Sequence, residues 1–138
     1  KENQGPLVKS ASESFAVLTG GSFESLRADF NEKDEPVLVG IRPNGDQVHV
    51  EGMSSGTRDQ LYLALRLASL EKFMEGSEPM PFIVDDILVD FDDERSESAL
   101  IALSQIAKKT QVIMFTHHSR VVEQARKIGD PVNIQELI

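Results

Sequence analysis

Three acidic side chains near the middle of the chain could support metal-dependent hydrolysis. Asp85 and Asp86 follow the short apolar run of residues 81–84, and Asp92 lies six positions after Asp86. An apolar run of this length indicates a buried parallel strand, and ligand sites of open α/β sheets collect at the carboxyl ends of such strands. One carboxylate there could hold Mg²⁺ through water while its neighbour activates an attacking water. Two solvated acids after a strand would explain the pair equally well.

The start of a long apolar helix could bind phosphate. Ser54, Ser55, Gly56 and Thr57 come just before the apolar run of residues 61–68. A glycine lets the backbone approach an anion closely, and the first N–H groups of a helix carry a partial positive charge. The competing interpretation is a plain N-cap, in which Ser55 or Thr57 caps a core helix. Taken alone, that interpretation describes the commoner case.

A pair of histidines follows a second apolar strand. Thr116, His117 and His118 come after the strand expected at residues 111–115. His117 could therefore reach the sheet edge that carries Asp85 and hydrogen-bond a terminal phosphate or the attacking water. A histidine pair considered by itself is more often a polar loop element.

Hydrophobic periodicity predicts the elements that position these groups. Residues 36–42 and 47–51 are β-rich on either side of Asn44-Gly45, a favoured hairpin turn. Apolar residues at helical spacing predict three helices, over residues 57–74, 96–109 and 119–128. The order strand, helix, strand, helix implies parallel pairing, which places the chain in the α/β class.

The two ends of the chain carry weaker signals. Residues 1–13 are polar, with Gly5-Pro6 early, and are expected to be a flexible lead-in to a lobe formed by residues 14–138. Residues 14–18 are expected to form a strand, and residues 132–138 a final strand or tail. The start at Lys1, without a basic-then-apolar signal pattern, indicates a processed or excised fragment.

Composition narrows the class of protein. The 138 residues suffice for one compact core, and 40% hydrophobic with 27% charged residues is typical of a globular protein. The net charge of -9 disfavours this segment as a main nucleic-acid-binding surface. The lack of cysteine excludes disulfides and thiolate metal sites and favours a reducing, cytoplasmic compartment. The apolar runs are too short for a membrane helix of roughly 20 apolar residues.

The combination of these motifs resembles the C-terminal head segment of ABC-type ATPases, in particular the SMC-like branch with its DNA double-strand-break repair ATPases and bacterial YhaN-like proteins. The likeness covers residues 37–138, and residues 56–68 and 85–95 look particularly YhaN-like. It implies an α/β fold: the C-terminal lobe of an ABC/SMC-type P-loop ATPase head, with parallel core strands flanked by helices and an N-terminal antiparallel hairpin.

The resemblance also implies a role for each motif in an ATPase site. The signature motif, which contacts the γ-phosphate of ATP bound to an opposing head, would correspond to Ser54, Ser55, Gly56 and Thr57. The remaining roles would be those of the Walker B magnesium acid, the catalytic acid, the D-loop aspartate and the switch histidine. They would fall in that order to Asp85, Asp86, Asp92 and His117.

Two residues depart from the pattern of the family. Ser55 replaces a usual glycine, and Asp86 stands where a glutamate is usual. Aspartate is one methylene shorter than glutamate, which shortens its reach to the attacking water and implies slow hydrolysis. The short acid also motivates an alternative function, a non-catalytic module that keeps the ATPase fold as a dimerisation or regulatory surface.

The sequence has no glycine-rich Walker A loop ending in Lys-Ser or Lys-Thr. Gly40 and Gly45 have its glycine spacing, but Asp46-Gln47 follows in place of Lys-Ser, and the hairpin explains Asn44-Gly45 better. In SMC-like proteins this loop belongs to an N-terminal lobe beyond a long coiled coil. The resemblance therefore implies two partners, which are that lobe and a second head. It also implies two cofactors, ATP and Mg²⁺. It implies DNA contacts, if any, through other regions.

A third class, the phosphoacceptor receiver domain, is suggested by Ile-Val-Asp-Asp at residues 83–86. That fold places its acidic pair near the N-terminus and a phosphorylated aspartate on a later strand. Too little chain follows Asp86 for this arrangement.

Overall fold

A computed structural model describes residues 5–75, 81–85, 88, 91–128 and 132–135. The chain divides into two compact units, Lys1–Ser77 and Glu78–Ile138. Length alone predicts one domain, whereas the structure has two bodies, each with its own sheet.

The first unit combines two helices with an antiparallel sheet of three strands. Its elements in chain order are α1 (Pro6–Leu18), β1 (Ser25–Phe30), β2 (Pro36–Ile41), β3 (Gln47–His49), a 3₁₀ turn (Val50–Gly52) and α2 (Ser55–Glu75). The strand order is β1-β2-β3. The β2–β3 pair is the predicted hairpin: Gly45 has φ of 95° and its N–H donates to the Arg42 carbonyl at 2.8 Å. Gly40 lies in β2 and Gly45 in this turn, so their spacing does not mark a phosphate loop.

Helix α1 corrects the expectation for the start of the chain. Residues 6–13, expected to be a lead-in, and residues 14–18, expected to be a strand, belong to one helix. Pro6 occupies its first turn, where a fixed φ favours helix, and Ala11, Phe15 and Leu18 are buried at helical spacing. Ser12 of this helix binds β1: its Oγ accepts from Leu26 N at 2.6 Å and donates to Leu26 O at 3.0 Å.

The core of the first unit lies where α1 packs on α2 and on the sheet. Phe15, Leu18, Val39 and Leu67 are fully buried there. Gly40 is required at this point because a Cβ atom would lie only 2.7 Å from the ring of Phe23. The glycine therefore lets an aromatic ring cover the sheet.

The second unit is built on a parallel pair of strands with helices between and after them. Its elements are β4 (Phe82–Asp85), α3 (Asp93–Ile106), β5 (Val112–Phe115) and α4 (Ser119–Ile128). The register runs from Phe82 opposite Val112 to Asp85 opposite Phe115. Its core includes Val84, Ala99 and Leu103. The predicted combination of parallel strands, flanking helices and an antiparallel hairpin is confirmed.

Element boundaries differ from the sequence expectation in places. Helix α3 begins at Asp93 rather than residue 96, because Asp92 caps it, and ends at Ile106 rather than residue 109. Residues 132–135 have no regular structure, and the rest of the expected final strand lies outside the described residues. Among the described helices, none has the length and apolar character needed to cross a membrane.

Candidate functional site

The side chain of Ser54 caps the start of helix α2. Its Oγ accepts a hydrogen bond from Thr57 N at 3.1 Å and donates to Thr57 Oγ1 at 2.9 Å. The cap is therefore Ser54, not Ser55 or Thr57 as the capping interpretation expects. Ser54 and Ser55 are exposed at the N-terminus of a 21-residue helix, while Gly56 is half-buried. Such a terminus favours an anion because its N–H groups and its dipole point the same way.

Buried neighbours on both sides hold this helix start in place. Met53 is 6% exposed, and its N–H donates to Val50 O at 3.0 Å. Gln60 is 3% exposed, and its Nε2 donates to the Leu18 carbonyl at the end of α1 at 2.6 Å. The exposed serines thus lie on a segment anchored to the core of the first unit.

In the second unit, the parallel register brings two predicted residues to one sheet edge. Asp85 is the last residue of β4 and pairs with Phe115, the last residue of β5, and His117 follows two positions later. Both Asp85 and His117 are exposed. The ring centroids of His117 and His118 lie 4.4 Å apart. Asp86, the predicted catalytic acid, lies outside the described residues.

Asp92 caps helix α3. Its Oδ1 accepts from Arg95 N at 2.8 Å, and its Oδ2 pairs with Arg95 Nη1 at 3.0 Å. The carboxylate is exposed at the surface of the second unit. Its position at a helix start is fixed by this local bonding.

Arg120, in the first turn of α4, is a residue that sequence reasoning missed. Its guanidinium donates to Asp93 Oδ1 at 3.0 Å, Ser96 Oγ at 3.1 Å and Phe91 O at 3.2 Å. A cation in the first turn of a helix is opposed by the helix dipole. That unfavourable placement is the signal, available in the sequence, that the side chain has acceptors elsewhere.

The predicted site residues divide between the two units. The four residues 54–57 belong to the first unit, and Asp85, Asp92 and His117 belong to the second. Across the part of the chain that the structure describes, no group of three or more His, Cys, Asp or Glu side chains could hold a metal ion. A magnesium ion at Asp85 would therefore need water and phosphate oxygens as further ligands, which is how Mg²⁺ commonly binds.

Comparison with solved structures defines the class of fold. The chain matches an SMC ATPase, from work on ATP-driven dimerization and DNA-stimulated activation of SMC ATPases, with a TM-score of 0.68 and 20% identity over 87% of this chain and 72% of that one. It matches the SMC head domain from Thermotoga maritima with a TM-score of 0.64 and 22% identity over 87% of this chain and 40% of that one. The fold is that of an SMC-type ATPase head.

Sequence similarity points to the same class. No protein-family model matches the chain. It is 36% identical over 116 residues to the uncharacterized protein YhaN of Bacillus subtilis, covering 83% of this chain and 12% of YhaN. It is 29% identical over 121 residues to the DNA double-strand break repair Rad50 ATPase of Sulfolobus acidocaldarius, covering 83% of this chain and 13% of that protein. The chain thus spans about an eighth of the length of these relatives.

Fold and sequence similarity together support a segment of an SMC-like ABC-type ATPase head. The resemblance and the fold class predicted from the sequence are confirmed.

Proposed function

We propose that this chain is the C-terminal part of an ATP-binding and hydrolysing SMC-like head. It supplies signature, Walker B, D-loop and switch elements to a composite ATP site between two heads. The observation that carries the proposal is the β4–β5 register. The strand that ends at Asp85 and the strand that precedes His117 end at the same edge of a parallel sheet. Ligand sites of such sheets collect at this edge.

Each of the proposed site residues has a task that suits its chemistry. Asp85 would hold Mg²⁺ through water, and the bound ion would supply positive charge that offsets the charge of the phosphates. Asp86 activates the attacking water as a general base, and His117 hydrogen-bonds the γ-phosphate or that water. The exposure of Asp85 and His117 supports these roles, because both side chains are accessible to a nucleotide.

The start of α2 completes the nucleotide site of the opposing head. Ser54, Ser55, Gly56 and Thr57 contact the γ-phosphate there, and Asp92 lies in the D-loop of the same interface. Two features support this assignment: the exposed serines at the N-terminus of a long helix, and the anchoring of that helix to α1 through Gln60.

The parallel sheet supports an N-terminal Walker A lobe of the same protein as a partner. Parallel sheets are normally covered on both faces, and two-stranded sheets have little stability of their own. Ile83 is 58% exposed and Phe115 is 47% exposed. The Walker A lobe would extend this sheet with its strands, and the lobe would also cover such side chains.

The wider setting follows from the relatives. Similarity to the DNA double-strand break repair Rad50 ATPase supports a role in DNA repair or maintenance. The net charge of -9 supports the proposal that DNA contacts, if any, are made through other regions of the complete protein.

Substitution of Ser54 tests the proposal. In the complete protein, Ser54→Arg should abolish ATP-driven association of heads, because a bulky side chain would fill the space of the γ-phosphate. Light scattering on size-exclusion fractions, with and without a slowly hydrolysed ATP analogue, measures the association. Ser69→Arg is the matched control, since Ser69 is exposed on the same helix. Intact association of the Ser54→Arg variant would reject the signature assignment.

The second candidate is a non-catalytic module that uses the same fold for dimerisation or regulation. The aspartate at position 86, where a glutamate is usual, favours it. The two candidates differ in whether the carboxylate of Asp86 affects the rate of ATP hydrolysis.

A further inference from the structure

Helix α4 is bonded to both sides of Asp92. Arg120 donates to the carbonyl of Phe91, just before Asp92, and to the carboxylate of Asp93, just after it. One turn later in α4, Gln124 Nε2 donates to the Asp93 carbonyl at 2.9 Å. The backbone that carries Asp92 is therefore held between two side chains of α4.

The burial of the acceptors shows which of these hydrogen bonds contribute most to holding the segment of Asp92. Asp93 has an 80% exposed side chain, so its ion pair with Arg120 is screened by solvent and contributes little. Ser96 is fully buried and Phe91 is 5% exposed. Bonds from a charged donor to buried acceptors are worth more than a surface ion pair, and losing them leaves the acceptors unsatisfied. The contacts of Arg120 with Phe91 and Ser96 thus fix the segment.

The same helix is continuous with the strand end that carries His117. Val121 N donates to the His118 carbonyl at 3.0 Å, and His118 N donates to Thr116 Oγ1 at 3.2 Å. Val121 is 2% exposed and anchors the first turn of α4 in the core. A displacement of the His117 segment would therefore move α4, and through Arg120 the segment of Asp92.

We propose that Arg120 is a positioning residue that fixes Asp92 relative to His117 and so couples the head interface to hydrolysis. This inference rests on the proposed function, because it takes Asp92 as an interface residue and His117 as a residue of the ATP site. Arg120 acts through its three acceptors at the start of α3 and need not touch the nucleotide. Its planar guanidinium suits this task, since several N–H groups point in different directions within one rigid plane.

Steady-state kinetics of the complete protein test the coupling. Arg120→Met should lower kcat for ATP at least about tenfold and leave KM within about twofold, because misplacement of a reacting group slows the chemical step more than it weakens binding. Arg120→Lys keeps the charge but cannot reach three acceptors, so its kcat should also fall. Arg126→Met is the control, since Arg126 lies on the same helix and pairs only weakly with Glu123 at 3.6 Å.

Amide hydrogen exchange supplies a readout that does not depend on ATP. In Arg120→Met, the amides of Arg95 and Ser96 should exchange about tenfold faster or more, because both donate to Asp92 and the bonds that hold that segment are lost. The amides of β2 in the first unit should keep their wild-type rates. A general loss of stability would instead accelerate both sets.

Several outcomes would overturn the inference. Unchanged kcat in both Arg120 variants, an equal loss in Arg126→Met, a raised KM with kcat unchanged, or unchanged exchange at Arg95 and Ser96 would each do so. If Arg120→Met does not fold, the same criteria apply to Arg120→Lys. Absence of ATP hydrolysis by the wild-type protein would instead reject the proposed function, and the exchange rates would still decide whether Arg120 orders the Asp92 segment.

Discussion

Ser54 and Asp92 carry out the same local task at the starts of α2 and α3. Each side-chain oxygen accepts the N–H of the residue three positions on, Thr57 in one case and Arg95 in the other. The structural and the functional interpretations of Ser54 are therefore compatible. A cap fixes the side chain at an exposed helix start, which is where a phosphate would bind.

The two roles of Ser54 can be separated by a pair of substitutions. Ser54→Ala removes the cap and should lower the free energy of unfolding by about 1 kcal/mol. Ser54→Asp keeps a capping oxygen and should preserve stability, but its charge should repel a γ-phosphate and weaken ATP-driven head association. Urea unfolding of the 138-residue chain and light scattering of the complete protein measure the two effects. Ser69→Asp, which adds the same charge farther along α2, should leave association unchanged. If Ser54→Asp associates like wild type, capping is the whole role of this residue.

Asp86 provides a second test at the scale of single residues. In the complete protein, Asp86→Asn removes the proposed general base and should lower kcat about 10²-fold or more, while ATP binding is retained. Single-turnover hydrolysis and equilibrium nucleotide binding distinguish the two steps. Asp46→Asn, in the exposed β2–β3 turn, is the control. Equal hydrolysis rates for wild type and Asp86→Asn would favour the non-catalytic module.

At the scale of elements, the sequence predicts best where one local signal decides the structure. Asn44-Gly45 specifies a tight turn, and the structure has the hairpin there. The apolar runs before Asp85 and Thr116 identify two parallel strands, but the expected burial is found only at Val84. The prediction for helix α1 is wrong because a polar segment with an early Gly5-Pro6 is typical of a loop. The buried residues Ala11, Phe15 and Leu18 nevertheless have helical spacing.

Tertiary bonding accounts for the remaining differences. The hydrogen bonds of Ser12 depend on β1, because its partner Leu26 lies 14 positions along the chain. The same reason applies to Arg120, because its acceptors lie 24 to 29 positions away along the chain. Residue types and local spacing do not encode such pairings.

The packing beneath the start of α2 gives a prediction for Gly40. In Gly40→Ala, the new Cβ would lie 2.7 Å from Phe23 Cε2 and 3.1 Å from Met53 Cε. Phe23 is buried against Phe15 and under Arg42, so it cannot move freely. The free energy of unfolding should fall by about 1–3 kcal/mol, measured by urea titration. Gly52→Ala is the control: its Cβ would lie 3.7 Å from Val48, and the change should stay within about 0.5 kcal/mol. Equal stability of the two variants would show that the sheet adapts around Phe23.

At the scale of the whole molecule, the chain contains only some of the groups that the proposed ATP site needs. The sequence has Asp85, Asp86 and His117 but no Walker A loop. Without that loop, the segment lacks the backbone cradle that would hold the phosphates of its own nucleotide. In the proposed function, the Walker A lobe of the complete protein and a second head supply the missing groups.

This composite site predicts a difference in activity between the segment and the complete protein. The purified 138-residue chain should show no Mg-ATP turnover above background, whereas the complete protein should hydrolyse ATP. A coupled phosphate-release assay with matched molar concentrations measures both. Robust turnover by the segment alone would contradict the proposal.

The division into two units also bears on how the chain is made. Among the described residues, strands pair only within a unit, so the three strands of the first unit find their partners there. Synthesis at about 5–20 residues per second takes several seconds to add residues 78–138, whereas helices and hairpins form in microseconds. The first unit can therefore fold before synthesis of the second unit is complete, so the helix start at Ser54 does not depend on the sheet that carries Asp85.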